Sequence, residues 1–388
     1  MNANLFLPLL ASLFLIIGLG ITYWIHSRYQ MEIAVTPGDL PSDLVPPLIS
    51  VVVPARDEER NIRACIESLL AQTYPRFEVI AVDDRSSDTT PQILAEMALH
   101  DGRLHLVHGS EPPPGWKGKP HALAQAADLA AGEWLCFVDA DTFASPYLLA
   151  STYTAAKDQS ADMFSIMTTQ ILGSFWEKVL LPVVFTGLSF GFPAAAVNDP
   201  KNPIAIANGQ FILIKRKVYQ AVGGHQAVRN RIDEDKALAQ LVKGAGHRLI
   251  IADGRSLAQT RMYTSLSEMW QGWTKNIYLG MLDRLWLLLF GAILGMIGAL
   301  VLPVWLISGL VWLGMGGGFP AALVTGQAAL LWAYLLWKRA QVARAFEISP
   351  LYAFSLPLGA LVFTAMMGAS AFKVISGQGV TWKGRTYS

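Results

Sequence analysis

The stretch LCFVDADTF, Leu135 to Phe143, reads as a buried strand that ends in two carboxylates one residue apart. Burying a carboxylate is costly unless it is paired or holds a cation. An Asp-x-Asp at a strand end suits a hard divalent ion, because Mg²⁺ takes one or two carboxylates and completes its shell with water and phosphate oxygens. By itself the motif is common by chance, so its meaning depends on what surrounds it.

Outward from Asp139, the region between Pro46 and Tyr278 alternates β-branched runs with helical patterns. LISVVVPARDEERNIRACIESLLAQ is a strand, a turn and a helix with Ile62, Cys65, Ile66, Leu69 and Leu70 at helical spacing. FEVIAVDDRSSDTTPQILAEMALH repeats the plan, with a strand to Val82, an acidic turn and a helix. LHLVHG is a third strand, GKPHALAQAADLAAG a helix of small residues, and EWLCFVDAD the fourth strand. Such alternation predicts an α/β fold, a parallel sheet with helices on both faces. Ligands of these sheets bind outside the carboxyl ends of the strands. Those ends carry Arg56-Asp57-Glu58-Glu59, then Asp83-Asp84, then Asp139-Ala140-Asp141. One acidic strand end is explained equally well by capping or turn formation. Three on one edge repel each other unless a cation or a hydrogen-bonding ligand lies among them.

The flanks have another texture. The chain of 388 residues is 53% hydrophobic and only 15% charged, with a mean hydropathy of +0.37. Residues 1–27 contain no charged side chain, and Leu5–Ile25 is long enough to span a bilayer. The run is too long for a signal peptide core and lacks a basic leader, which favours an uncleaved anchor. Leu285–Trp337 and Pro350–Phe372 are also uncharged, so residues 285–372 are expected to form about three transmembrane helices, followed by a polar tail, 373–388. Arg28 and the expected loop Lys338-Arg339…Arg344 put the middle region, 46–266, in the cytoplasm. Three helices after it would leave Lys373, Lys383 and Arg385 outside; splitting Leu285–Leu313 near Pro303 reverses the tail and the loop. Val179–Val197 is uncharged but holds Pro182, Gly187, Gly191 and Pro193, which favours a membrane-surface or re-entrant element over a core helix. Residues 267–284 gather Trp270, Trp273 and Tyr278 near polar and basic groups, as interfacial segments do. Cys65 and Cys136 read as packed thiols. A net charge of +1 gives no case for a nucleic-acid partner.

SVVVPARDEERNI, VIAVDDRSSDTT, GWKGKPHAL, FVDADT, ANGQFILIKRKVYQAVGG and IDEDKALA together, over residues 48–278, resemble family 2 glycosyltransferases, which have the GT-A fold. MYTSLSEMWQGWTKNIY and the GVTWKGRTY tail are similar to a membrane-bound subgroup that includes hopanoid-associated, carotenoid-acid and ceramide glycosyltransferases. The resemblance implies a UDP-sugar donor held by Pro54, Ala55, Arg56, Glu58, Asp83 and Asp84. It implies Mg²⁺ or Mn²⁺ on Asp139 and Asp141, and Asp235 as general base with Glu234 beside it. Gly209, Gln210, Gln271, Trp273 and Lys275 fall on the acceptor or membrane side. Lys119 either adds charge at the diphosphate or is a solvated turn lysine. Asp233–Asp235 also suit the first turn of a helix, favoured by its dipole. Gly223-Gly224 suit either a flexible turn or a helix C-cap.

Processive relatives carry Gln-x-x-Arg-Trp where this chain has Gln271-Gly272-Trp273-Thr274-Lys275. That departure favours transfer of one sugar to a membrane lipid in, by analogy, a bacterial inner membrane. Three competitors stand beside it. A dinucleotide enzyme or nucleotidyltransferase on a similar sheet lacks its Gly-x-Gly-x-x-Gly after the first strand. A non-catalytic nucleotide-binding scaffold is opposed by retention of all the acidic sites. A polyprenyl-phosphate acceptor would use Arg261, Lys275 and Arg284 as its basic cluster.

Overall fold

The structure, a computed structural model, describes residues 10, 12–13, 15–20, 23, 31–42, 44–281, 301–376, 380–382 and 385–387. In chain order the first elements are β1 (Ile49–Ala55), α1 (Ile62–Leu70), β2 (Phe77–Asp83), α2 (Thr90–Ala98), β3 (Leu104–His108) and α3 (Gly118–Leu129). There follow β4 (Trp134–Phe137), β5 (Thr142–Ala144), α4 (Leu148–Asp158), β6 (Met163–Met167), β7 (Thr169–Gln170) and α5 (Phe175–Gly191). Next come α6 (Ala194–Asn198), β8 (Ile212–Lys215), α7 (Arg216–Ala221), α8 (Gly224–Ala227), α9 (Glu234–Gly244), β9 (Leu249–Asp253) and β10 (Ala258–Thr260). The C-terminal part holds α10 (Leu266–Met281), α11 (Leu302–Gly314), α12 (Gly318–Ala345), α13 (Leu356–Ser376), β11 (Val380–Trp382) and β12 (Arg385–Tyr387).

The chain divides into two compact units, one of residues 30–171 and 192–262, the other of residues 1–29, 172–191 and 263–388. The first is a seven-stranded sheet in the order β3-β2-β1-β4-β8-β6-β9, with a three-stranded sheet β5-β10-β7. β1, β2, β3 and β4 are mutually parallel, as are β6 and β9; β8 runs antiparallel to both neighbours. The α/β expectation is met, with β8 the antiparallel member.

Alternation along the strands builds two cores. Ile49, Val51, Val53 and Ala55 of β1 face one side with α1 and α2; Val52 faces the other with Ala122, Leu123, Ala126 and Ala127 of α3. Small residues let α3 lie close to the sheet. Cys65 and Cys136 are unpaired and buried in the first core, which pushes both thiols upward. The chain steps outward from β1 to β2 and β3, then returns to place β4 on the other side of β1. The order reverses at the β1/β4 junction, where open α/β sheets take their ligands.

The second unit is helical. Among the described residues two helices are long and apolar enough to cross a membrane: Gly318–Ala345, mean hydropathy 1.5, and Pro350–Lys373, mean hydropathy 1.6. α11 is a shorter apolar helix; residues 285–300 of the run from Leu285 lie outside the described residues, as does Arg284. The tail carries a two-stranded antiparallel ladder with Val380 opposite Tyr387.

Two expectations change here. Lys338, Arg339 and Arg344 lie in α12, not in a loop. A fall in hydropathy marks the end of an apolar run, whereas the Lys, Arg, Ala and Gln that follow are good helix formers. Val179–Val197 likewise contains most of a 17-residue helix, α5, with Pro182 inside it, and the break comes only at Gly191–Pro193. An interior proline leaves the carbonyl four residues earlier without its helical donor. For Pro182 that carbonyl is Lys178 O, and Arg339 Nη2 donates to it at 3.2 Å and to Val179 O at 3.3 Å. The 5%-exposed arginine therefore offsets what the proline removes.

Arg339→Met should lower the thermal stability of the detergent-purified protein by about 1.5–3 kcal/mol, the range for a charged hydrogen bond. In a Pro182→Ala background, where the helical donor returns, the same substitution should cost less. Equal costs in a double-mutant cycle of melting temperatures would show that the two residues are not coupled.

Candidate active site

The loops after β1 and β2 are laced together before any ligand is considered. Asp84 N donates to Ala55 O at 2.7 Å, which continues the pairing past Ala55 opposite Asp83. Asp57 (φ +52°) and Arg85 (φ +58°) turn the chain in the left-handed region that Asp tolerates and most side chains avoid. Ser86 Oγ accepts from Asp57 N (3.0 Å), and Asp57 Oδ1 accepts from Ser87 N (2.7 Å). Asp83 Oδ1 accepts from Ser86 N at 3.1 Å, so Asp83 acts as a turn cap. Asp84 instead presents its carboxylate to Arg56 Nη1 and Arg85 Nε, each at 3.9 Å, while Arg56 Nη1 donates to Asp84 O at 3.1 Å. Glu58 is tied by its own N–H to Thr90 Oγ1 (2.9 Å) and accepts from Asn61 Nδ2 (3.1 Å).

β4 stops at Phe137, and the Asp-x-Asp lies between the two sheets. Lys119 Nζ is 2.7 Å from Asp139 Oδ1 and 2.8 Å from Glu234 Oε1, so one ammonium bridges the end of β4 and the start of α9. Burial alone would lower the Lys119 pKa, but Asp139, Glu234 and Asp235 outweigh it and hold it well above the usual lysine range. Asp141 has a solvent-shielded oxygen, Oδ1, with no hydrogen-bond partner among the described residues. Its pKa is pushed up to about 7 by burial first, then by Asp139 and Glu58, against the pull of Lys119.

Asp235 receives two backbone N–H groups, Gly209 N on Oδ2 at 3.0 Å and Lys236 N on Oδ1 at 2.7 Å. These favour the charged form, yet burial and Glu234 dominate and raise it to about 7. A Cβ at Gly209 would sit 3.0 Å from Asp235 Oδ2, so glycine is what lets this backbone reach the carboxylate. Asp233 pairs in bidentate fashion with Arg231, both contacts at 2.8 Å. Pro54, Lys119, Asp139, Gly209, Glu234 and Asp235 line one cavity with Phe137 and His225.

The other expected positions lie elsewhere. Gln210, 4% exposed, turns inward and accepts from Gln170 Nε2 (3.2 Å), Asn208 Nδ2 (3.3 Å) and Thr168 Oγ1. Gln271, Trp273 and Lys275 belong to α10 in the helical unit, where Trp273 packs against Phe185 and Tyr263 at 6.3 and 6.4 Å between ring centroids. Gly223 follows the last turn of α7 at φ +80°, the geometry of a helix C-cap. Sequence spacing missed two partners of the cavity: the Lys119–Glu234 bridge, between residues over a hundred positions apart, and His225.

Among the described residues no set of three or more His, Cys, Asp or Glu side chains could hold a metal by itself. A cation bound by one or two carboxylates and substrate phosphates needs no such set. The unpartnered Asp141 Oδ1, and an Asp139 already held by an ammonium, are a donor pair that fits one.

The glycosyl transferase family 2 model matches residues 50–223, the segment that carries β1, the strand ends and Lys119. Residues 50–223 form a family 2 glycosyltransferase domain. The chain is 26% identical over 261 residues to 4,4'-diaponeurosporenoate glycosyltransferase of Staphylococcus aureus, covering 64% of this chain and 68% of that one. It is 24% identical over 244 residues to glycosyltransferase GlyG of Streptococcus pneumoniae, covering 59% and 77%. Its fold is similar to that of mannosyltransferase PcManGT from Pyrobaculum calidifontis, solved with GDP-Man and Mn²⁺, with a TM-score of 0.56 and 18% identity over 96% of this chain and 99% of that one. The chain is a glycosyltransferase, with the cavity at the switch point of its GT-A-like sheet.

The raised carboxylates give a pH signature. Asp141 and Asp235 bind protons more tightly folded, at about 7, than at the ordinary 3.8 of the unfolded chain. Stability should therefore fall as pH rises from about 4 to 7 and level off above it. Asp141→Asn, measured without divalent cations, should raise the melting temperature more at pH 8 than at pH 5. An equal change at both would contradict the raised value.

Proposed function

We propose that the protein moves one sugar from a nucleotide-diphosphate sugar, a UDP-sugar in the first instance, to a membrane lipid with inversion at the anomeric carbon. The observation that carries this reading is the gathering of Asp139, Asp141, Glu234 and Asp235 around a single ammonium beside the β1/β4 switch point.

Pro54, Ala55, Arg56, Glu58, Asp83 and Asp84 hold the nucleoside, with Arg56 Nη1 and Asp84 Oδ2 3.9 Å apart. Asp139 and Asp141 would hold Mg²⁺ or Mn²⁺ against the diphosphate. When bound, such an ion supplies Lewis-acid stabilisation of the leaving phosphates. Lys119 releases part of its hold on Asp139 and offers its charge to a phosphate oxygen. Asp235, poised near neutrality, takes the proton of the acceptor hydroxyl. The acceptor oxygen forms its bond to the anomeric carbon as the carbon–oxygen bond to the diphosphate breaks on the opposite face, and the nucleoside diphosphate leaves. Glu234 holds Lys119 and raises the basicity of Asp235 through its own charge.

A lipid acceptor is supported by the two apolar helices of spanning length and by the relative named for its action on 4,4'-diaponeurosporenoate. The working layout is an N-terminal anchor (1–27), a cytoplasmic catalytic region (46–266), an interfacial segment (267–284) that includes α10, and membrane helices within 285–372 in a bacterial inner membrane.

Purified protein supplied with lipid extract, Mn²⁺ and a panel of UDP-sugars should release UDP from one donor in a lipid-dependent way. Asp235→Asn should reduce that rate by about 10²–10⁴-fold, the contribution of a general base, and chelation of the divalent ion should abolish it. Undiminished turnover in Asp235→Asn would remove Asp235 from the mechanism.

A further inference from the structure

His225 lines the cavity of Asp139, Glu234 and Asp235, yet no step above uses it. The corner that carries it is built around one ring. Gly224, at φ +51°, has Tyr219 so close that a Cβ would lie 2.5 Å from Tyr219 Cε1 and Cζ. Through that gap Tyr219 Oη accepts the backbone N–H of His225 at 3.0 Å and lies 2.9 Å from His225 Nδ1. Phe137, the last residue of β4, packs edge-on against the imidazole with 4.8 Å between centroids.

Hydrogen-bond chemistry settles the tautomer. A phenol has one proton to donate. Among the described residues Tyr219 Oη has no acceptor other than Nδ1. If Nδ1 carried the proton, the buried phenol O–H would be left without an acceptor. The phenol therefore donates to Nδ1, and the neutral ring carries its proton on Nε2. The ring is neutral because burial, and then the Lys119 charge, push His225 down to about 3. The side chain is 2% exposed, and among the described residues Nε2 has no hydrogen-bond partner.

We infer that His225 Nε2–H donates a hydrogen bond to an oxygen of the bound nucleotide-sugar, a sugar hydroxyl or a diphosphate oxygen, and that Tyr219 is the positioning residue that fixes its tautomer. The inference rests on the nucleotide-sugar reading above. A neutral donor suits this place, where a second ammonium would compete with Lys119 for the same carboxylates. It also explains why a tyrosine, a glycine of positive φ at Gly224 and a phenylalanine edge converge on one imidazole.

The test is calorimetric binding of UDP-glucose, UDP-N-acetylglucosamine, GDP-mannose, UDP and GDP, with Mn²⁺, to the full-length detergent-purified protein. The forms compared are wild type, His225→Phe and His225→Gln, with melting temperatures recorded for each. His225→Phe should weaken the preferred nucleotide-sugar by about 5- to 10-fold, the loss of one neutral hydrogen bond. His225→Gln, whose amide N–H reaches the Nε2 position, should recover most of it. Equal weakening of the free nucleoside diphosphate would identify a phosphate oxygen, and weakening confined to the sugar-bearing form a sugar hydroxyl. Wild-type affinity in a folded His225→Phe, or a glutamine variant as weak as the phenylalanine one, would overturn the inference. Failure of the wild type to bind any nucleotide-sugar would instead overturn the reading on which it rests.

Discussion

One ammonium stands among four carboxylates. Lys119 Nζ contacts Asp139 and Glu234 within 2.8 Å, while Asp141 and Asp235 share its field without touching it. A single positive charge cannot neutralise four negative ones in a partly buried cleft, and the protein answers by holding protons on Asp141 and Asp235 up to about neutral pH. A ligand that brings positive charge releases this frustration. In the proposed mechanism the same repulsion among the carboxylates serves both to receive a cation and to give Asp235 the basicity of a proton acceptor.

The fold assembles this arrangement from elements distant in sequence. Parallel β1 and β4 bring Ala55 and Asp139 to one edge, α3 supplies Lys119 from its first turn, and α9 supplies Glu234 and Asp235 from its own. The two helix ends have opposite electrostatic character. Carboxylates at the start of α9 are favoured by the helix dipole, whereas a cation in the first turn of α3 is not. Asp139 and Glu234 hold Lys119 there in spite of it. The backbone does the finer placement, with Gly209 letting an N–H reach Asp235 and Gly224 letting Tyr219 reach His225.

The β1–β4 half of the sheet is legible because apolar runs, turns and helices alternate along that part of the chain; β6, β8, β9 and the three-stranded sheet lie beyond that alternation and emerge only in the structure. The acidic strand ends were legible because parallel strands must deliver their carboxyl ends to one edge. What sequence could not supply was orientation. Gln210 stands one residue from Gly209 and points into a buried amide network, so proximity in the chain said nothing about access. The prolines and glycines of Val179–Val197 signal a broken helix, but a helix tolerates Pro182 when a side chain takes over the orphaned carbonyl, and that side chain, Arg339, is 161 residues away from Lys178. Hydropathy sets a boundary at Lys338–Arg344, but it reports where an apolar run ends and not where a helix does. A lone histidine such as His225 has no pattern at all until Tyr219 and the cavity are seen beside it.

Electrostatic frustration in the cleft is what a cation and a diphosphate should relieve together. A thermal-shift titration of the wild-type protein with Mn²⁺ alone, UDP alone and both measures this directly. The joint shift should exceed the sum of the separate shifts, and the excess should be larger at pH 8, where Asp141 and Asp235 are ionised, than at pH 5. Additive shifts, or an excess independent of pH, would contradict it.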